Sequence, residues 1–346
     1  MKAKRGLVAV AMWVVACARF TEEPASGDGG ASSSSSSTSS TSSSSGSSSS
    51  SGVVPPIEEV IAAGLNGPLH VRATKKVVYF VSVVGNTRAL QFCPVEGCAG
   101  KAPTLVAPDV EDFGLGDGFA YWTSGTRLLR CPNESVCSGE TIFDGNAGER
   151  AIAIALADGV VYVGLTDASS GRVVRCTPNL GTVPTAIENM VRVGAMAATS
   201  QELFYFAGPV TSNQLHRYGN KVENLGTMPG LPTTVAASGN NVAFVSQQTL
   251  FACQPAESCV PVPIPGSFST GVYGVSASSS DLFWTLSGVG GVPGKIVRCS
   301  ERPCREPKVI FEGGDPAHVD TNDGWVYWTD LGGGATAKGS IKRARL

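Results

Sequence analysis

The amino-acid sequence predicts an all-β fold: a seven-bladed β-propeller closed by an N-terminal strand that completes the last blade. Three observations predict it. A short apolar-aromatic signature recurs seven times, the segments between its copies read as strands and turns, and the chain ends carry matching parts of one further unit.

Composition permits this fold and narrows the partners. Of 346 residues, 42% are hydrophobic, enough for a core, and 16% are charged, below the usual quarter. With 42 Gly and 21 Pro, the profile suits short strands joined by tight turns. A formal net charge of −2 offers no footprint for nucleic acid. A basic cluster near the end (Lys338, Lys342, Arg343, Arg345) reads as a solvated strand face.

The N-terminus carries an address. Lys2, Lys4 and Arg5 precede an apolar run, Leu7 to Val15, that is too short for a permanent membrane span. The run ends in Val14-Val15-Ala16-Cys17, which resembles the bacterial lipobox. That resemblance implies lipidation of Cys17, cleavage before it, and a membrane partner held through the lipid anchor. Ala18 stands where inner-membrane retention uses Asp, so the resemblance implies export to the outer membrane or cell surface. The alternative is an ordinary signal peptide cleaved nearby. Residues 18–52 follow as a Ser-rich linker, nearly pure Ser from Ser32 to Ser51, with nothing apolar to offset chain entropy. The reading is thus a leader over 1–17, a disordered linker over 18–52 and a propeller over 53–346.

The signature reads Val78-Tyr79-Phe80, Ala120-Tyr121-Trp122, Val161-Tyr162-Val163, Phe204-Tyr205-Phe206, Ala243-Phe244-Val245, Leu282-Phe283-Trp284 and Val326-Tyr327-Trp328. Its central residues lie 42, 41, 43, 39, 39 and 44 positions apart, near the length of a four-stranded blade. Each copy follows an apolar stretch and a turn. A third strand comes next, often ending in a basic residue as in Leu128-Leu129-Arg130, and a short fourth strand closes the unit. Repeat seven stops after its third strand, while Glu58 to Ala63 resembles the fourth strand of repeat six. The N-terminal segment therefore supplies the missing strand, hiding edges that an open array would expose.

Tyr327-Trp328-Thr329-Asp330, with Tyr121-Trp122-Thr123 and Phe283-Trp284-Thr285 in part, resembles the signature of YWTD-type propellers. With the cysteine pairs Cys93/Cys98, Cys131/Cys137, Cys253/Cys259 and Cys299/Cys304 after its third strands, the chain is similar to β-propeller lipoproteins common in myxobacteria, a resemblance that implies no particular activity. Ten cysteines are present; apart from Cys17, eight form close pairs, Cys93/Cys98, Cys131/Cys137, Cys253/Cys259 and Cys299/Cys304. Each pair follows a third strand, and in an exported protein each reads as a disulfide stapling the hairpin between strands three and four. Cys176 holds the same place in repeat three without a partner nearby, either as a lone thiol or as a link to another chain.

Nine residues before the signature aromatics stand His70, Asp112, Ala153, Met196, Val235, Gly274 and His318. Closure makes repeats seven, one and two neighbours, so His318, His70 and Asp112 fall side by side, with Arg72 and Asp320 two positions on. Such a cluster suits a divalent metal ion, the one cofactor this sequence brings into view. The other reading is related blade sequence with both imidazoles bonded to backbone or water. No nucleophile elbow or phosphate loop is present, and His216 reads as structural. Function therefore reads as a noncatalytic module binding a small ligand or an envelope protein. A metal-dependent lyase or hydrolase acting at the channel, or an envelope-assembly component, is the alternative.

Overall fold

The chain divides into two units, Met1–Gly52 and Val53–Leu346. The computed structural model describes residues 57–178, 183–190, 192–209, 213–239, 241–254, 259–264, 271–278, 280–288, 292–300, 304–332 and 338–346. Cys17, the leader and the linker lie outside the described residues.

Strand-forming residues separated by Gly- and Asp-rich turns give seven four-stranded antiparallel sheets. In six of them strand order follows chain order, from Leu69–Ala73 in blade one to Lys308–Glu312 in blade six. The first strands lie side by side around the ring: Leu69–Ala73, Phe113–Gly116, Arg150–Ala157, Val193–Ala198, Pro232–Ser238, Val272–Ala277 and Pro316–Asn322. Blade seven takes three strands from the C-terminal end and its fourth, Glu59–Leu65, from the N-terminal side.

Closure rests on backbone pairing, burial and charge together. Glu59–Leu65 runs antiparallel to Gly339–Arg345, with Glu59 opposite Arg343 and Leu65 opposite Gly339. Ile61, Ala62 and Leu65 are buried with Tyr327, Ile341, Val78 and Phe80. Arg343 pairs with Glu59 at 2.6 Å, and Lys342 pairs with Glu58 at 2.9 Å and Asp330 at 2.7 Å. Two members of the cluster expected to be a solvated face are thus committed to the seam. The reason is register, because acidic residues that neutralise them come from the far end of the chain.

Between blades, alternate residues of each second strand face opposite neighbours. Tyr79, Tyr121 and Tyr162 face the following blade, whereas Phe80, Trp122 and Val163 face the preceding one. In blade four the residue facing onward is Phe204, and in blade five it is Ala243. The signature centres expected at Tyr205 and Phe244 are therefore one residue late, because aromatics on the opposite face were matched. Third-strand pairing agrees: Cys93, Cys131, Cys176, Cys253 and Cys299 lie opposite Val78, Ala120, Val161, Val242 and Leu282, each just before the onward-facing residue.

All four expected pairs, Cys93–Cys98, Cys131–Cys137, Cys253–Cys259 and Cys299–Cys304, are disulfide-bonded. They lie in the hairpin between strands three and four, as expected, and bond the end of strand three to the turn rather than to strand four. Cys93, Cys131, Cys253 and Cys299 stand inside their third strands, near the end, and Cys98, Cys137, Cys259 and Cys304 stand in the loops beyond. Cys137 shows the difference best. It precedes the fourth strand, Glu140–Asp144, and is half-buried where Cys131 is buried. Its Sγ lies 3.9 Å from Arg130 O and accepts from Gly139 N–H at 3.4 Å. The physical reason is spacing: with five residues between the two cysteines, the chain has only turned off the third strand when it reaches Cys137, so the bond closes the turn and leaves strand pairing to the ladder.

These loops also reach the preceding blade. Cys98 N–H donates to Ile61 O, and Cys259 N–H donates to Leu225 O, each at 2.9 Å; Glu134 N–H donates to the Tyr79 hydroxyl at 2.8 Å. Cys176 is free and buried, and burial pushes its thiol up to about 12. A protonated thiol out of solvent is neither a nucleophile nor a ready link to another chain.

The closure strand offers a matched test. Ile61 is 3% exposed and Val60 is 53% exposed, on opposite faces of one strand. Ile61→Asp buries an unpaired carboxylate and should cost about 3 kcal/mol or more, whereas Val60→Asp should stay within about 0.5 kcal/mol of wild type in denaturant titrations.

Candidate functional site

The ring places His70 and His318 in contact across the seam between blades one and seven. Their ring centroids are 4.3 Å apart and the planes meet at 35°. Each follows a register shift in its first strand, between Leu69 and Val71 and between Pro316 and Val319, so its own N–H drops out of the regular ladder. For His318 the missing partner is Thr329 of the Tyr-Trp-Thr-Asp tetrapeptide, whose Oγ1 accepts at 2.9 Å. Thr285 accepts from Gly274 N–H at 2.9 Å and donates to Ala317 O at 2.6 Å, while Thr123 accepts from Asp112 N–H at 3.2 Å.

The tetrapeptide is thus a structural device that supports the channel position. Its Trp fills the gap to the preceding blade, its Tyr faces the following one, and its Thr satisfies the displaced amide. Asp330 is buried, accepts from Asp315 N–H and Gly332 N–H, and pairs with Lys342. Burial alone would raise its carboxyl; Lys342 and the two amides outweigh that and hold it low.

Glycine makes room at the same level. A Cβ on Gly274 would lie 2.5 Å from Ala317 O and 2.9 Å from the His318 Cα. Blade six therefore gives up its side chain where blade seven presents His318. By register, the positions equivalent to His70 are Asp112, Ala153, Ala195, Thr234, Gly274 and His318. Met196 and Val235, expected there, sit one residue further along their strands.

Asp112 does not join the imidazoles. Its Oδ1 accepts from Phe113 N–H at 2.8 Å and its Oδ2 from Ile154 N–H at 3.0 Å, which ties blade two to blade three. Among the described residues, no group of three or more His, Cys, Asp or Glu side chains is placed to hold a metal ion. His70, His318 and Asp112 therefore do not form one three-residue donor set for a metal. Asp320 does for blade one what Asp112 does for blade three: its Oδ2 accepts from Ala73 N–H at 3.0 Å, and its Oδ1 pairs with Arg72 at 3.2 Å.

Arg72 and Asp320 are the two charged residues lining a central cavity of about 300 Å³ to which all seven first strands contribute. The rest of its wall is mainly small or aliphatic, including Leu115, Ala155, Ala198 and Ala237. His70 and His318, two positions earlier on the strands that carry Arg72 and Asp320, are not part of that wall. Arg72 and Asp320 are marked in the sequence by their offset from the histidines. Arg88, whose charge acts on His70, is not, because nothing in the repeat distinguishes it. His216 is buried against Tyr205 with Glu188 at 3.1 Å, away from the channel position.

No protein-family profile and no curated protein matches the sequence. Among solved structures, the WD40 β-propeller domain of Doa1 is similar at a TM-score of 0.57 and 15% identity, over 83% of this chain and 97% of that one. A chain of the nidogen/laminin complex gives 0.47 and 12%, over 73% and 92%, and the designed protein Ika8 gives 0.49 and 9%, over 84% and 98%. The likeness is one of fold alone.

Burial pushes the His70 imidazole down to about 4, with help from Arg72 and Arg88. It holds His318 well below its ordinary value, with help from His70 and Arg72. Both rings are neutral at neutral pH. Burial raises Asp112 to about 6, against the opposing pull of its two amide donors and Arg72.

These shifts have opposite consequences on acidification. The histidines contribute stability that is complete above their ordinary 6.5 and lost as pH falls toward 4. Asp112 contributes stability that is present below its ordinary 3.8 and lost as pH rises through about 6. Replacing both histidines with Asn should flatten the loss of stability between pH 6.5 and 4, and Asp112→Asn should steepen it. Unfolding midpoints measured across that range check both signs.

Proposed function

We propose that this chain is an exported protein, lipid-anchored at the outer membrane or cell surface, whose propeller binds a small ligand or an envelope protein without transforming it. One observation carries the reading: four disulfide-closed loops are built into the blade register. Such bonds persist where thiols are oxidised, outside the cytosol. The Val14-Val15-Ala16-Cys17 sequence supports the anchor, and the Ser-rich stretch supports a tethered head.

The central cavity supports binding. It is concave, set on a closed ring, and carries one ion pair in an otherwise mainly small or apolar wall, which suits a ligand offering both an acceptor and a donor. A rigid wall of paired strands lowers the ordering cost of association.

Two measurements test the two halves of the proposal. The full chain, expressed in a bacterium fed labelled palmitate, should incorporate label and pellet with membranes, and Cys17→Ser should abolish both; label retained by that variant excludes the anchor. Ligand-observed NMR of the full chain against amino acids, short peptides and monosaccharides should give a contact that Arg72→Ala weakens by about tenfold, roughly 1.4 kcal/mol. Equal binding by wild type and variant places the ligand elsewhere.

A further inference from the structure

Seven copies of one blade let each position be compared with its equivalents. The residue facing onward from the second strand is Tyr79, Tyr121, Tyr162, Phe204, Phe283 or Tyr327 in six blades, and all six are buried. Opposite it on the third strand stands Phe92, Arg130, Arg175, Arg217, Arg298 or Arg343. In blade one the partner is a second ring; in the other five it is an arginine, which in blades two, three and seven hydrogen-bonds the tyrosine hydroxyl. In blade one the Tyr79 and Phe92 centroids are 5.4 Å apart; in blade six the Arg298 guanidinium lies 5.8 Å from the centre of the Phe283 ring.

Blade five lacks both halves. Its onward-facing residue is Ala243, and the residue opposite is Ala252. Its neighbour Phe244 cannot substitute, because it faces blade four and packs on Phe206 at 5.1 Å and Phe251 at 5.6 Å. The fourth strand is also cut to two residues, Val262–Pro263. What remains is a cleft of about 490 Å³ between blades five and six, walled by Ala236, Ala243, Ala252, Ala277, Ile264 and Leu282. Asn241 and Gln254 supply amides to its lining, and no charged side chain among the described residues lines it.

We propose that this cleft binds a small, uncharged, planar aromatic compound, seated where the other blades place their own ring and its cross-strand partner. The repeat indicates the shape, since six equivalents of the slot hold a flat ring, opposite which stands a second ring or an arginine. Size agrees: an apolar cavity of about 150 Å³ accommodates benzene, and drug-sized ligands occupy roughly 300–1,000 Å³. Chemistry agrees as well, because an apolar wall with amide groups and, among the described residues, no counter-ion favours a neutral ring bearing one hydroxyl or N–H over a charged one. The cleft shares only Ala236 and Ala277 with the central cavity, so this site stands or falls apart from the channel.

The test uses the full chain with 2-naphthol as probe, followed by its fluorescence and by calorimetry. Saturable binding is expected, weakened by about tenfold or more in Ala243→Tyr/Ala252→Phe, which restores the blade-one pair. That variant should also melt higher, because it fills apolar space with apolar rings. If the double variant melts lower than wild type, Ala252→Phe alone provides the comparison and should weaken binding in the same direction. Arg72→Ala should leave 2-naphthol binding unchanged. The proposal is overturned if wild type shows no saturable binding, if the filled variants bind equally well, or if cyclohexanol binds as tightly as 2-naphthol.

Discussion

Everything in this molecule depends on one pairing, the hydrogen-bonded seam between Glu59–Leu65 and Gly339–Arg345. The other sheets are built from strands close in sequence, each closing a short loop. The seam instead joins residues 284 positions apart, as between Glu59 and Arg343. The length-dependent part of such a closure costs about 5 kcal/mol in chain entropy. A ladder, a buried apolar face and two ion pairs across the seam, Lys342–Glu58 and Arg343–Glu59, offset that cost at one place. Once the ring is shut, blade one has a neighbour on each side and His70 meets His318. The channel position therefore exists only as a product of closure.

The disulfides serve the same end from the rim. A short closed loop adds little to its own hairpin, because the segment it constrains is already brief. Its larger contribution is to orientation. Cys98 and Cys259 direct their N–H groups at the outer strands of the preceding blades, and the loop that Cys137 closes carries Glu134 to the Tyr79 hydroxyl. Blade edges, otherwise rows of unpaired backbone groups, gain partners from next door. Blade three keeps the third-strand cysteine without its mate, and there the thiol is simply core.

Much of this was legible in the sequence, for reasons that are local. Strand length and turn chemistry set the period, and the unmatched fourth strand gave away the closure. What failed did so by one residue. Phe204-Tyr205-Phe206 offers three aromatics in a row, and Ala243-Phe244 puts its aromatic on the wrong face, so centring on the ring flips the face of the strand. The cysteine opposite Val242 marks the true register, because it keeps the same cross-strand neighbour in every blade that has it. Asp112 was placed in the right ring position, but the direction of its carboxylate was not readable. That direction is decided by the Ile154 and Phe113 N–H groups, which only the assembled strands present.

The bulges also explain where such a fold is free to vary. Displacing one amide from each ladder at the channel position would be costly if it stayed unpaired, and in blades two, six and seven a threonine on the adjoining strand accepts from it. With the backbone satisfied from behind, unlike side chains are accommodated in front. Asp112, Gly274 and His318 show the result, three unlike residues on one scaffold. Ala243 shows the converse case. There the variable position faces a neighbouring blade, where loss of a ring leaves a gap that nothing on the next blade fills. Divergence at the His70 position changes which groups meet between first strands, whereas divergence at the onward-facing position changes the shape of the gap between blades. The two departures in this ring, an imidazole pair at one seam and a missing aromatic at another, thus arise from the same repeat through different physical routes.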